Sequence, residues 1–133
     1  MRVLETALYA ENLEETASFY EEVLGLERLS ERAGRHIFFR VEGGVLLLFR
    51  PGESRTPPPQ GALPVPPHGA EGPGHACFAA TSEEIEAWSA RLSAAGIAIE
   101  SVVDWPQGGR SIYFRDPAGN SLEFAEPRIW GLS

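Results

Sequence analysis

The second half of this chain repeats the first, and that repetition leaves few folds open to it. Each half starts with a short alternating segment, residues 4–10 and residues 74–80. In the first, Leu4, Thr6 and Leu8 fall on one face and Val3, Glu5, Ala7 and Tyr9 on the other; in the second, His75, Cys77 and Ala79 share a face. A helix-start signature follows each strand. Asn12-Leu13-Glu14-Glu15 and Thr81-Ser82-Glu83-Glu84 both place a capping side chain three residues before a glutamate. Apolar residues then recur at helical spacing, as Leu13, Ala17, Tyr20 and Leu24 and as Ile85, Trp88, Leu92 and Ala95. Gly25 and Gly96 end the two helices. Three strand-like runs complete each half: residues 26–31, 35–41 and 45–50, then 97–103, 110–115 and 121–126.

The chain therefore reads as βαβββ twice, in register. Glu5 to Gly25 spans 20 residues and His75 to Gly96 spans 21. Each unit leaves one sheet face without a helix, and two units side by side cover it. The expected class is α+β: an eight-stranded cupped half-barrel sheet with the helices outside. The expected organisation is a single domain over 1–133, with modules at 1–50 and 74–133. Between them, residues 51–73 hold eight of the 11 prolines, so the connector reads as a stiffened linker or lid-like loop.

Composition removes several functions. A formal charge of −8 and a pI near 4.8 argue against nucleic acid or an anionic membrane as partner. All 11 basic residues are arginines, so Schiff-base lysines and phosphate-binding P-loops are excluded. No apolar run is long enough to span a membrane, a carboxylate stands as early as Glu5, and Cys77 is the only cysteine. These features point to a cytoplasmic protein.

The segment richest in chemistry is Asp116-Pro117-Ala118-Gly119-Asn120-Ser121-Leu122-Glu123-Phe124. A tight turn leads into a strand on which Glu123 shares a face with the small residues Ser121 and Ala125. A carboxylate so placed suggests a strand facing a cavity; the plainer reading is a surface strand with Glu123 in water. The repeat aligns Glu5 with His75, and Glu123, four residues after Gly119, with Leu48, four after Gly44. Glu5, His75 and Glu123 thus form a set of metal-competent side chains on faces away from the helices.

Four blocks resemble a known family: residues 4–13, Phe19-Tyr20-Glu21-Glu22-Val23-Leu24-Gly25-Leu26, Gly74-His75-Ala76-Cys77-Phe78, and residues 113–123. Together they resemble the vicinal oxygen chelate superfamily, which holds glyoxalase I, bleomycin-resistance proteins, fosfomycin-modifying enzymes and type I extradiol dioxygenases. The resemblance spans nearly the whole chain and is specific for fold. It is less specific for function, because one scaffold hosts isomerases, dioxygenases, transferases and metal-free binders. It implies metal ligands at Glu5, where histidine is usual, at His75 and at Glu123. The glyoxalase-type glutamate at the end of the first half is replaced by Leu48, which weakens a direct glyoxalase I assignment.

One histidine and two carboxylates suit Mn²⁺, Ni²⁺, Zn²⁺, Mg²⁺ or Fe²⁺. Glu5 in place of histidine argues against oxygen activation. The expected function is that of a glyoxalase/dioxygenase-type enzyme acting on a small oxygenated substrate by bidentate chelation, with Glu123 or Glu5 moving the proton. The alternative is a metal-free binder of cationic, bleomycin-like antibiotics, using Trp105 and Trp130 for stacking; a relative with a vestigial site is a third reading. Substrate-contact candidates are Tyr9, Trp105, Arg110, Tyr113 and the connector residue His68, each with an ordinary structural role as the competing reading. Arg110 is a candidate partner for an anionic substrate or for Glu123. Cys77 is read as a small buried hydrophobe. A homodimer is expected, because an open half-barrel leaves strand edges to cover.

Overall fold

A computed structural model describes all of residues 1–133 and divides them into two compact units, Met1–Pro73 and Gly74–Ser133. The first unit runs β1 (Glu5–Tyr9), α1 (Leu13–Ser18) continuing into a π-helical turn (Phe19–Val23), β2 (Glu27–Arg32), β3 (His36–Val41), β4 (Gly44–Phe49) and a short α2 (Pro51–Ser54). The second runs β5 (His75–Ala79), α3 (Ser82–Ala94), β6 (Ser101–Asp104), β7 (Arg110–Arg115), β8 (Ser121–Ala125) and a 3₁₀ turn (Pro127–Trp130). The two βαβββ modules are those the sequence repeat implies. Their sheets have matching orders, β1-β4-β3-β2 and β5-β8-β7-β6. In each, the first and last strands pair in parallel and the other neighbours antiparallel.

The helical stripes decide which sheet face becomes core. Asn12 caps α1 by accepting the Glu15 amide at 3.2 Å, and Leu13, Ala17, Tyr20 and Leu24 are all buried. They meet Leu8, Ile37, Phe39, Leu46 and Leu48 on one face of the first sheet, all at most 3% exposed. Burying each such side chain contributes roughly 1.5–3 kcal/mol. The π-helical turn carries Phe19 and Tyr20, which are consecutive, both buried and packed edge to face at 5.5 Å. In the second unit, Thr81 and Glu84 form a reciprocal capping box, and Ile85 and Leu92 are buried against the sheet. Trp88 stacks on Phe124 at 4.6 Å, whereas Ala95 is exposed at the helix end and outside the stripe expected for it.

Three local features differ from the sequence reading. The connector begins with α2, started by Pro51 at its first turn. Strand β6 begins at Ser101 rather than at 97, because Ile97 is still tied to the helix by its amide to the Leu92 carbonyl, and ladder partners on β7 start at Tyr113. The repeat is also offset by one residue at its end. Gly43 and Gly119 both adopt positive φ, 71° and 87°, two residues before the strand pairs with its parallel neighbour. Gly43 is therefore the counterpart of Gly119, and Leu47, not Leu48, is the counterpart of Glu123. Leu48 faces the helix and is fully buried. Leucine occupies the position in either alignment, so the first module has no carboxylate there.

Candidate functional site

In the second unit, β8 lies between β5 and β7, so its side chains on the helix-free face are flanked on both sides. Glu123 sits at the middle of β8 and is only 5% exposed. The reading of a surface carboxylate in water is overturned. Its register partners are Cys77 on β5 and Tyr113 on β7, and cross-strand partners share a face. His75, which opens β5, completes the group: its Nε2 lies 3.3 Å from Glu123 Oε2.

The histidine is oriented by the backbone. His75 Nδ1 lies 2.9 Å from the Ser121 carbonyl oxygen. A carbonyl only accepts, so Nδ1 carries the hydrogen and donates it. In neutral histidine, Nε2 then holds a lone pair aimed at a carboxylate that also only accepts. Two acceptors at that distance require a positive charge between them, either a proton or a metal ion.

The neighbouring groups register the carboxylate. Burial and the adjacent Glu123 push the Cys77 thiol up to about 12, although Cys77 as a residue is exposed and not the buried hydrophobe expected. Burial, with a further contribution from Glu123, raises the Tyr113 phenol above its ordinary value. Both are therefore neutral donors beside an acceptor. No group of three or more His, Cys, Asp or Glu side chains in the structure forms a ready metal cage.

The other predicted residues separate into groups. In the first unit, the Tyr9 hydroxyl lies 2.6 Å from His68 Nδ1, and His68 packs edge to face on Phe49 at 4.5 Å. Burial raises the Tyr9 phenol. His68 is thus docked on the sheet rather than loose in the connector. Glu5 is exposed at the start of β1. In the second unit, Arg110 makes a two-point ion pair with its cross-strand partner Asp104, at 2.7 and 3.2 Å. That correction removes it as the partner of Glu123; neighbouring opposite charges at a strand end satisfy each other first. Trp105 donates its indole N–H to Ser111 Oγ at 2.9 Å, and Trp130 is 80% exposed.

Ser111, fully buried, and His36 were not singled out from the sequence. Alternation along β3 puts His36 and Phe38 on the helix-free face, where they stack at 4.1 Å. That signal was present, but an isolated histidine in an apolar strand does not announce itself.

With this geometry in view, comparison with known proteins is decisive for family. The profile of the Glyoxalase/Bleomycin resistance protein/Dioxygenase superfamily matches residues 2–124. The chain belongs to this superfamily. A crystal structure of lactoylglutathione lyase from Agrobacterium tumefaciens is 42% identical, with a TM-score of 0.94 over 98% of this chain and 97% of that one. An integron cassette protein from the mobile metagenome of the Halifax Harbour sewage outfall is 27% identical, with a TM-score of 0.74 over 94% and 97% of the two chains. The fosfomycin resistance protein FosX from Listeria monocytogenes shares the fold, with a TM-score of 0.67 at 21% identity over 95% and 93%. No curated protein matches the sequence.

Proposed function

We propose that this superfamily member is a metal-dependent, glyoxalase/dioxygenase-type enzyme that binds two neighbouring oxygens of a small substrate and moves a proton between adjacent atoms. The observation that carries the reading is the buried Glu123 carboxylate facing the lone-pair nitrogen of His75. Two observations support a divalent ion here. His75 is pinned at Nδ1 by a backbone carbonyl, an arrangement typical of metal-binding histidines. Its Nε2 lies 3.3 Å from Glu123 Oε2, a spacing that a shared proton or a shared ion fills. Imidazole and carboxylate donors suit Mn²⁺, Ni²⁺, Zn²⁺, Mg²⁺ or Fe²⁺.

In this proposal His75 and Glu123 hold the ion, and Glu5, the first-strand counterpart of His75, is the candidate third donor in a homodimer. The ion would supply Lewis acidity at two substrate oxygens. The chain's own residues do the rest. Glu123, or Glu5, accepts a proton from one carbon and returns it to the next, within reach of a carboxylate whose burial limits competition from water. The similarity to a lactoylglutathione lyase supports substrates of the 2-oxoaldehyde–thiol adduct type over catechols. No helix is long and apolar enough to cross a membrane. The single cysteine supports a cytoplasmic setting.

The test is a substrate screen on protein loaded in turn with Zn²⁺, Ni²⁺, Mn²⁺ and Fe²⁺. Turnover of a 2-oxoaldehyde–thiol adduct that disappears in Glu123→Gln is the expected result. Turnover of catechols alone, or no turnover together with tryptophan quenching by a cationic glycopeptide, contradicts it and favours a dioxygenase or a binder respectively.

A further inference from the structure

The connector carries an imidazole back to the helix-free face of the first sheet. Residues 55–67 are exposed throughout, and His68 is the first residue after them to be half-buried. The two ends of this loop are held together. The His68 amide donates to the Ser54 carbonyl at 3.0 Å, and Arg55 pairs with Glu71 at 3.0 Å. Gly69 packs against Arg55 with no room for a Cβ. The closed loop thus delivers one ring to a fixed place.

That place is a seat built from other rings. Strand register puts Tyr9 of β1 and His36 of β3 on either side of Phe49 of β4. Phe38 stacks on His36 at 4.1 Å and meets Phe49 edge to face at 5.3 Å. Phe49 is only 6% exposed although no helix covers it. The His68 ring stands on Phe49 at 4.5 Å and 82°, and the Tyr9 hydroxyl lies 2.6 Å from its Nδ1. That distance is short for an N–H donor and ordinary for an O–H donor, so Tyr9 donates and Nδ1 accepts.

A free azole could make the same contacts: an edge-to-face seat and one hydrogen bond to a ring nitrogen. Nothing in them requires the ring to belong to the chain. A second polar atom on this face, the buried His36 Nδ1, has no hydrogen-bond partner and is available to a guest. Arg32, the register partner of His36, disfavours a cationic one.

We propose that Tyr9, Phe49 and His36 form a binding site for a neutral nitrogen heteroaromatic ring, and that His68 is its built-in, displaceable occupant. An incoming ring that takes the Tyr9 hydrogen bond and the Phe49 face turns His68 out into solvent, where residues 55–67 already lie. A tethered plug competes at high local concentration, so a guest's apparent affinity falls with the fraction of time the seat is open. The site stands apart from the metal reading and uses no residue of the second unit.

The test uses imidazole and benzimidazole, with a chelator present so that the azole has no ion to coordinate. His68→Ala is expected to bind imidazole saturably, with NMR shifts centred on the Tyr9 and Phe49 amides. The wild type is expected to bind it roughly 10- to 100-fold more weakly, the penalty for a seat filled about 90–99% of the time. Adding Tyr9→Phe to His68→Ala is expected to weaken imidazole by roughly 2- to 10-fold, the loss of one hydrogen bond. In the wild type, saturating benzimidazole is expected to move the His68 Cε1–H resonance to that of a solvent-exposed histidine, a result that does not depend on how well His68→Ala folds. Equal affinity in the wild type and His68→Ala, shifts that cluster away from Tyr9 and Phe49, or no effect of Tyr9→Phe overturns the proposal. So does a His68 resonance that benzimidazole leaves unmoved, or a folded His68→Ala that takes up no imidazole.

Discussion

Cys77 and Glu123 face each other across one strand pair, and each is legible through the other. A thiol moved from an ordinary value near 9 to about 12 carries about a thousandfold less thiolate at pH 8. A less populated thiolate is also a more nucleophilic one, so Cys77 is expected to alkylate with iodoacetamide roughly 10- to 100-fold more slowly than a free cysteine despite its exposure, and to speed up in Glu123→Gln; mass spectrometry over time measures both. His36 yields a second expectation. Burial, with Arg35 and Arg32 nearby, lowers its affinity for a proton, and its buried Nδ1 has no hydrogen-bond partner. The unfolded chain binds that proton at higher pH than the native one, so His36 favours the fold above pH ~6.5 and the contribution is lost as pH falls through the lower native value. The urea midpoint of the wild type should drop more between pH 7 and pH 5 than that of His36→Phe. At this scale the sequence was a partial guide. Alternation placed His75, Cys77 and Glu123 on helix-free faces, and the structure brings them together. It did not tell Leu47 from Leu48, because counting from Gly44 rather than Gly43 shifts a strand by one residue and turns every side chain over. Nor did it reveal that Arg110 is already held by Asp104, which depends on strand register rather than spacing.

Secondary elements were the most legible layer, since periods of 2 and 3.6 are written directly in the residues. The stripe Leu13, Ala17, Tyr20, Leu24 is buried throughout, and Leu92 of α3 is fully enclosed. Leu92→Ala should cost about 2–5 kcal/mol, read by chemical denaturation. What stayed hidden were departures from the regular periods: the π-helical turn at Phe19–Val23 and the late start of β6. The connector was expected to be a loop, and its return to the sheet was not foreseen. His68 closes that return, with its amide on the Ser54 carbonyl at 3.0 Å and its ring against Tyr9 and Phe49. Tyr9→Phe removes one hydrogen bond, a net loss of roughly 0.5–1.5 kcal/mol. Hydrogen exchange at the His68 amide should then accelerate by roughly 2- to 10-fold while the β4 amides keep their protection.

At the scale of the whole chain, duplication supplies two similar sheets and the sequence then differentiates them. The first sheet carries Leu47, Phe38, Ala7 and Glu5 on its helix-free face where the second carries Glu123, Tyr113, Cys77 and His75 in the same strand order. A single βαβββ plan that leaves Glu5 as the one carboxylate among these positions of the first face, and gathers polar groups at all four in the second, is the arrangement from which the catalytic proposal follows. That proposal depends on one positive charge held between His75 Nε2 and Glu123 Oε2. Its most direct test is the metal content of protein purified without chelator or affinity tag, followed by calorimetric titration of the stripped protein with Zn²⁺ or Mn²⁺. About one tightly held ion per chain is expected, lost in Glu123→Gln and in His75→Ala and weakened in Glu5→Gln. A protein that takes up no ion, or one whose ion survives the loss of both His75 and Glu123, contradicts the account.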